Sequence, residues 1–204
     1  RPNIPPDPGM IYQDGEQHSK QRALVSSGFT PRQMRKMEDR AREIVVELVT
    51  NMLAKDEVDI VADLAAPLPA NLIADMLDIP QERRAAVMQW INKMIHGGCG
   101  PDYVDDEVND AFANFCEHHE EMYQDRIAKG CTGSDLLTIW INAEINGEKL
   151  DESQLLFEHA LLNVGGAETT RNAIAGGLYE LAKDPKQPHL VPVGGAGVPV
   201  LTAQ

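Results

Sequence analysis

The run Leu162-Asn163-Val164-Gly165-Gly166-Ala167-Glu168-Thr169-Thr170-Arg171-Asn172 lies inside a long, apolar, helix-forming segment. Asp151 caps the start of that segment, Gln154 occupies the capping-box position, and Asp184-Pro185 stops it after Lys183. Adjacent glycines in a helix interior each cost about 1 kcal/mol relative to alanine. The acid and the threonines that follow place polar groups on or near the same turn. A sequence breaks its local rules in this way for a site. Such a backbone leaves room for close approach of a large flat ligand, with a hydroxyl and a carboxylate beside it.

The rest of the chain reads as helix after helix, so the fold class is mainly α. A short helix is expected from about Gln17 to Ser27, ended by Gly28. Thr30 is a natural N-cap with Pro31 at the first helical position. From Arg32 to Ala54 apolar residues recur at Met34, Met37, Ala41, Ile44, Val45, Leu48, Val49 and Met52, the period of one helix face. A stretch beginning at Asp59 is interrupted by Pro67 and Pro69 and closes at Ile79-Pro80. Gln81 to His96 is amphipathic, with Val87, Trp90, Ile91, Met94 and Ile95 inward. Asp102 to Lys129 is a long acidic helix whose expected apolar stripe is Val104, Val108, Phe112, Phe115, Met122 and Ile127. Ser134 to Ile141 is a short helix, and Asn146-Gly147 signals a small β-hairpin near 143–150.

Composition removes several classes of function. A formal net charge of −14 argues against nucleic-acid partners and against an anionic membrane surface. No apolar run approaches the roughly 18 residues that span a bilayer. Cys99, Cys116 and Cys131 form no CxxC pair and are odd in number, which fits reduced thiols in a cytoplasmic protein. The first residue is Arg1 and both ends look abrupt, so the chain reads as a fragment.

Two stretches, in order, carry a resemblance. Gly165-Gly166-Ala167-Glu168-Thr169-Thr170 deep in a long helix resembles the oxygen-activating motif of the cytochrome P-450 family, the haem-thiolate monooxygenases. Asp14, His18, Arg22 and Phe29-Thr30-Pro31 resemble the bacterial family's Asp…His-x-x-x-Arg…Phe-Thr-Pro segment, and Leu77-Asp78-Ile79-Pro80 fits as a link between them. The resemblance covers about Ile11 to Pro185. Residues 1–185 are therefore expected to form part of such a domain. Residues 186–204, rich in Pro, Gly and Val, are expected to be a disordered tail outside it.

The resemblance implies haem b as cofactor and insertion of one oxygen atom of O2 into an apolar lipid, steroid or terpenoid. A ferredoxin or a flavoprotein reductase would supply electrons. It implies Thr169 and Glu168 as catalytic residues for proton delivery, Gly165 and Gly166 as room over the porphyrin in a bulged helix, and His18 and Arg22 as propionate ligands. Leu161, Leu162 and Ala167 become substrate-facing candidates, with Met94 and Ile95 behind them. Thr170 is read as a packing partner of the site.

Each residue also has a plainer reading. His18 and Arg22, four apart, equally suit a solvated basic turn. The glycines suit tight helix packing. Glu168 and Thr169 suit an exposed acid and a threonine bonded to its own i−4 carbonyl. Cys116, Glu117, His118, His119, Glu120 and Glu121 include metal-capable spacings such as Cys116/His119/Glu120 but lack a second element, so a solvated helix face is expected there. His96 and His159 read as ordinary helix histidines. Downstream of the Gly165–Thr170 motif, the family's Phe-x-x-Gly-x-x-x-Cys ligand loop and its Glu-x-x-Arg helix do not occur in these residues, so no axial metal ligand is assigned. Two alternatives stay open: a non-enzymatic helical binding module, and an inactive gene remnant.

Overall fold

The structure is a computed structural model and describes residues 9–183. A 3-10 turn, Met10–Tyr12, precedes α1 (Gly15–Ser26) and α2 (Pro31–Leu53). A π-helical turn, Val61–Ala65, leads into α3 (Pro67–Leu77). Then come α4 (Gln81–Gly97), a 3-10 turn (Pro101–Tyr103), α5 (Asp106–Ala128), α6 (Leu136–Asn142) and α7 (Glu152–Lys183). The expected tail at 186–204 lies outside the described residues.

Local chemistry sets these boundaries. Thr30 Oγ1 accepts from Gln33 N at 3.4 Å and Pro31 takes the first helical position, so α2 starts where its missing N–H costs nothing. At α7 the capping box is reciprocal: Gln154 N donates to Asp151 Oδ1 at 2.8 Å and Asp151 N to Gln154 Oε1 at 3.0 Å. Before α3, Asp59 Oδ1 accepts from Val61 N and Ala62 N, and Ala66 N reaches back to Val61 O at 2.9 Å. Pro67 has no N–H to extend that ladder, so α3 begins afresh on it. Asp78, left-handed at φ 54°, ends α3, and Ile79 N donates to Ala74 O at 2.8 Å.

α7 is the central element. Leu155, His159, Asn163 and Ala167 form its buried stripe, and α3, α4, α5, α6 and the π turn pack against it. Trp140, Phe115, Leu77, Ile91 and Leu137 fill the interior. Burying one such side chain favours folding by roughly 1.5–3 kcal/mol. Trp140 Nε1 also donates to Val25 O at 2.9 Å, which ties α6 to α1. Gly28 lets that contact close, because a Cβ there would meet Leu136 and Trp140.

Four expectations need correction. The α5 stripe that is buried consists of Ala111, Phe115, His118, His119, Met122 and Arg126, while Phe112 and Ile127 are 42% and 44% exposed. His118 and His119 are interior and do not form a solvated face. Arg126 can be buried because its guanidinium donates to Leu77 O at 3.0 Å and pairs with Asp135 at 3.5 Å. The hairpin shrinks to one bridge, Ile145 with Glu148, around a turn in which Asn146 and Gly147 both have positive φ. Finally, α7 is an unbroken α-helix through Gly165 and Gly166, with no bulge.

Candidate functional site

The helical period divides α7 into two faces at the glycine pair. Gly166 points toward α3: a Cβ there would sit 2.7 Å from Ile73 Cδ1. Gly165 points the other way, and a Cβ there would meet nothing within 4 Å. The adjacent glycines thus do different work. Gly166 allows close helix packing, and Gly165 leaves the opposite side bare.

Thr169, one turn on from Gly165, shares that bare side and is exposed. Its hydroxyl donates to Gly165 O at 2.5 Å. The bond uses the hydroxyl proton and leaves the oxygen lone pairs able to accept. Gly165 and Thr169 form a narrow strip of backbone and hydroxyl against which a flat group can lie.

Glu168 stands at the edge between the two faces. Its Oε1 accepts from Arg171, in an ion pair one turn away, and from Asn172 Nδ2 at 3.3 Å. It also lines a cavity of about 220 Å³ with Ala66, Pro67, Met88, Asn92 and Ala167. That cavity lies among α3, the π turn, α4 and α7, on the far side from Gly165. Ala167 is buried there and does not share the Gly165 face. Leu161 and Leu162 are half-buried, with Leu162 packed on the core. Met94 and Ile95 are also half-buried against that core from α4. The substrate-facing candidates therefore do not share one surface.

α1 is fastened beside the start of α7 by a buried amide–carboxylate clamp. Gln21 Nε2 donates to Glu158 Oε1 at 2.8 Å, and Met10 N donates to the same oxygen at 2.7 Å. Gln154 Nε2 completes the clamp by donating to Gln21 Oε1 at 3.3 Å. The Glu158 anchor precedes Gly165 by about 10 Å along the helix, at 1.5 Å per residue. His18 and Arg22 flank Gln21 on α1: His18 is half-buried and Arg22 exposed. Among the described residues neither side chain has a hydrogen-bond or ion-pair partner. A guanidinium without a carboxylate, in a chain with 32 Asp and Glu against 18 Lys and Arg, is suited to an anionic group from outside the protein.

Sequence reasoning missed the clamp and a second polar cluster formed by His118, His119 and His159. One signal for both was present. The run Leu155-Leu156-Phe157-Glu158-His159-Ala160-Leu161-Leu162 sets an acid and an imidazole inside an apolar stretch, and buried polar groups need partners. The cysteines lie apart from the site: Cys99 is exposed after α4, Cys116 half-buried in α5, and Cys131 half-buried after α5. Burial pushes the Cys116 thiol up.

Comparison with known proteins decides the family. The cytochrome P450 family model matches residues 71–188, which include the whole of α7. The chain belongs to the cytochrome P450 family. It is 31% identical over 188 residues to a steroid C26-monooxygenase of Mycolicibacterium smegmatis, covering 90% of this chain and 46% of that one. It is 33% identical over 183 residues to a methyl-branched lipid omega-hydroxylase of Mycobacterium bovis, covering 87% and 42%. Among solved structures, a cytochrome P450 from Chondromyces apiculatus superposes with a TM-score of 0.80 at 28% identity, over 93% of this chain and 46% of that one. The chain spans about half the length of the cytochrome P450 relatives it matches. Its helices are the helical part of the cytochrome P450 fold, and the family's cofactor is haem b.

Proposed function

We propose that this chain is part of a haem-dependent monooxygenase that places one oxygen atom of O2 into an apolar substrate of the lipid or steroid class. The observation that carries this reading is the bare strip of Gly165 and Thr169 on α7, with His18 and Arg22, unpartnered among the described residues, held beside the same helix by the Gln21–Glu158 clamp. Open backbone for a flat ring and side-chain N–H donors for its carboxylates fit haem. Haem, when bound, supplies the iron at which dioxygen is reduced.

The protein's own part is binding and proton supply. Arg22 and His18 would hold a propionate by charge-assisted hydrogen bonds. Gly165 would keep the helix clear of the porphyrin face. Thr169 would offer its hydroxyl, now donating to Gly165 O, as a hydrogen-bonding and proton-supplying group on that face. Glu168 would carry protons inward once it leaves Arg171 and Asn172, acting as a positioned general acid. A ferredoxin or a flavoprotein reductase would deliver the electrons. The named activities of the steroid C26-monooxygenase and lipid omega-hydroxylase relatives support the substrate class.

Sequencing the source DNA through and beyond the codon for Lys186 tests the reading. A downstream Phe-x-x-Gly-x-x-x-Cys loop, in frame or after a one-base correction, is the expected result. An open reading frame that stops after Gln204 with no such loop overturns it.

A further inference from the structure

α5 and α7 meet through an imidazole cluster that the oxygen chemistry does not use. His118 and His119 of α5 and His159 of α7 are 3%, 4% and 0% exposed. His119 Nδ1 lies 2.9 Å from His159 Nδ1. The His118 and His159 ring centres are 6.2 Å apart. Aromatic rings complete the walls, with Phe115 4.9 Å from His159, Trp90 6.0 Å from His118 and Tyr123 stacked at 6.4 Å from His119. The Nε2 atoms of His118 and His159 are buried without a hydrogen-bond partner.

This arrangement suits neutral rings. The Nδ1–Nδ1 hydrogen bond needs one ring to donate and the other to accept. A first proton would place a charge in an aromatic interior where, among the described residues, the rings bond to one another and to no carboxylate. A second would set donor against donor. The surrounding charges do not compensate. Arg83 of α4 and Arg126 of α5 oppose protonation. Glu120 and Glu121 of α5 favour it, but Glu121 pairs with Arg83 at 2.9 Å and Glu120 accepts from Gln124 at 2.8 Å. On α7, Glu158 is engaged by Gln21 and Met10.

We infer that the three-histidine cluster is an acid-sensitive latch, which fastens the site helix α7 to α5 through neutral rings and holds it less strongly in mild acid. His159 precedes Gly165 by about 9 Å of helix, so a weaker hold would loosen the candidate site itself. Burial is the main cause that holds all three rings below the ordinary histidine value of 6.5, with His119 at about 4. Unfolded rings take up protons near 6.5 and the folded cluster refuses them. The latch is therefore complete above pH 6.5 and weakens as pH falls from there toward the lowered values of the folded rings, about 4 for His119. It stands independently of haem binding.

The test follows thermal unfolding and amide exchange of the full chain from pH 7 to pH 5. The midpoint is expected to fall by roughly 5–10 °C, with α7 amides near His159 losing protection before those of α2. The double variant His119→Asn/His159→Asn, which keeps polar contacts but does not titrate, should flatten that slope. A wild-type slope in the variant, or a loss of protection uniform over all helices, overturns the latch. Proton NMR of the wild-type chain decides the matter if the variant does not fold. Three imidazoles titrating below the ordinary histidine value are expected, and all rings titrating near 6.5 would overturn the proposal.

Discussion

Gly166 of α7 and Ile73 of α3 approach so closely that a methyl group on the glycine would lie 2.7 Å from the isoleucine Cδ1. Gly165 beside it faces open space. The pair should respond oppositely to substitution. Gly165→Ala is expected to stabilise the chain by up to about 1 kcal/mol through helix propensity. Gly166→Leu should destabilise it by roughly 1–3 kcal/mol through overpacking. Urea denaturation midpoints measure both, and equal effects would contradict the division of faces.

On the proposed function, haem would lie against the opposite side of the same helix. The chain is expected to bind haem weakly, with no thiolate-type spectrum when reduced under carbon monoxide, since none of Cys99, Cys116 and Cys131 lies in a ligand loop. Arg22→Ala should weaken uptake further by about tenfold, the loss of one charge-assisted hydrogen bond. A haem titration followed by absorbance reads both. Unchanged affinity in the variant would remove Arg22 from the site.

The clamp between α1 and α7 predicts a stability effect at a position remote from any reaction. Gln21→Leu takes one donor from the buried Glu158 carboxylate, where the Gln21 amide lies at 2.8 Å. The expected cost is about 1–3 kcal/mol, the desolvation of an acceptor left short of a partner. A double-mutant cycle with Gln154→Leu should show coupling, because Gln154 donates to the same amide.

Thiol reactivity should rank by burial. Cys99 is exposed and should be modified first by a soluble disulfide reagent. Cys116, half-buried with its thiol pushed up by burial, should react more slowly at pH 8. Mass spectrometry of peptides from a timed reaction checks the order.

Much of the fold was legible because its signals are local. The Thr30-Pro31 start and the Asp151–Gln154 capping box need only neighbouring residues, and both occur as read. α5 was misread because an interior was assumed to be apolar. Counting Phe112 and Ile127 as inward and His118 and His119 as outward put its stripe in the wrong place. The true stripe is stabilised by partners on α7 and α3 that periodicity does not reveal. The Asn146-Gly147 turn formed, but its flanks are too short and too exposed to build a ladder beyond one bridge. The two roles of the adjacent glycines depend on Ile73, far away in sequence, and could not be separated by spacing.

α7 leaves its neighbours behind as it runs on. Its last buried residue is Ala167, and Arg171 still lines the cavity beside Glu168, but nothing from Asn172 to Lys183 is buried. That stretch is about 18 Å of helix at 1.5 Å per residue, and it contains Gly176 and Gly177. One rod thus has two mechanical parts. The anchored part opens only when the core opens, whereas the unburied part can open turn by turn without it. Among the described residues, a protease added to the folded chain should find its first cut there.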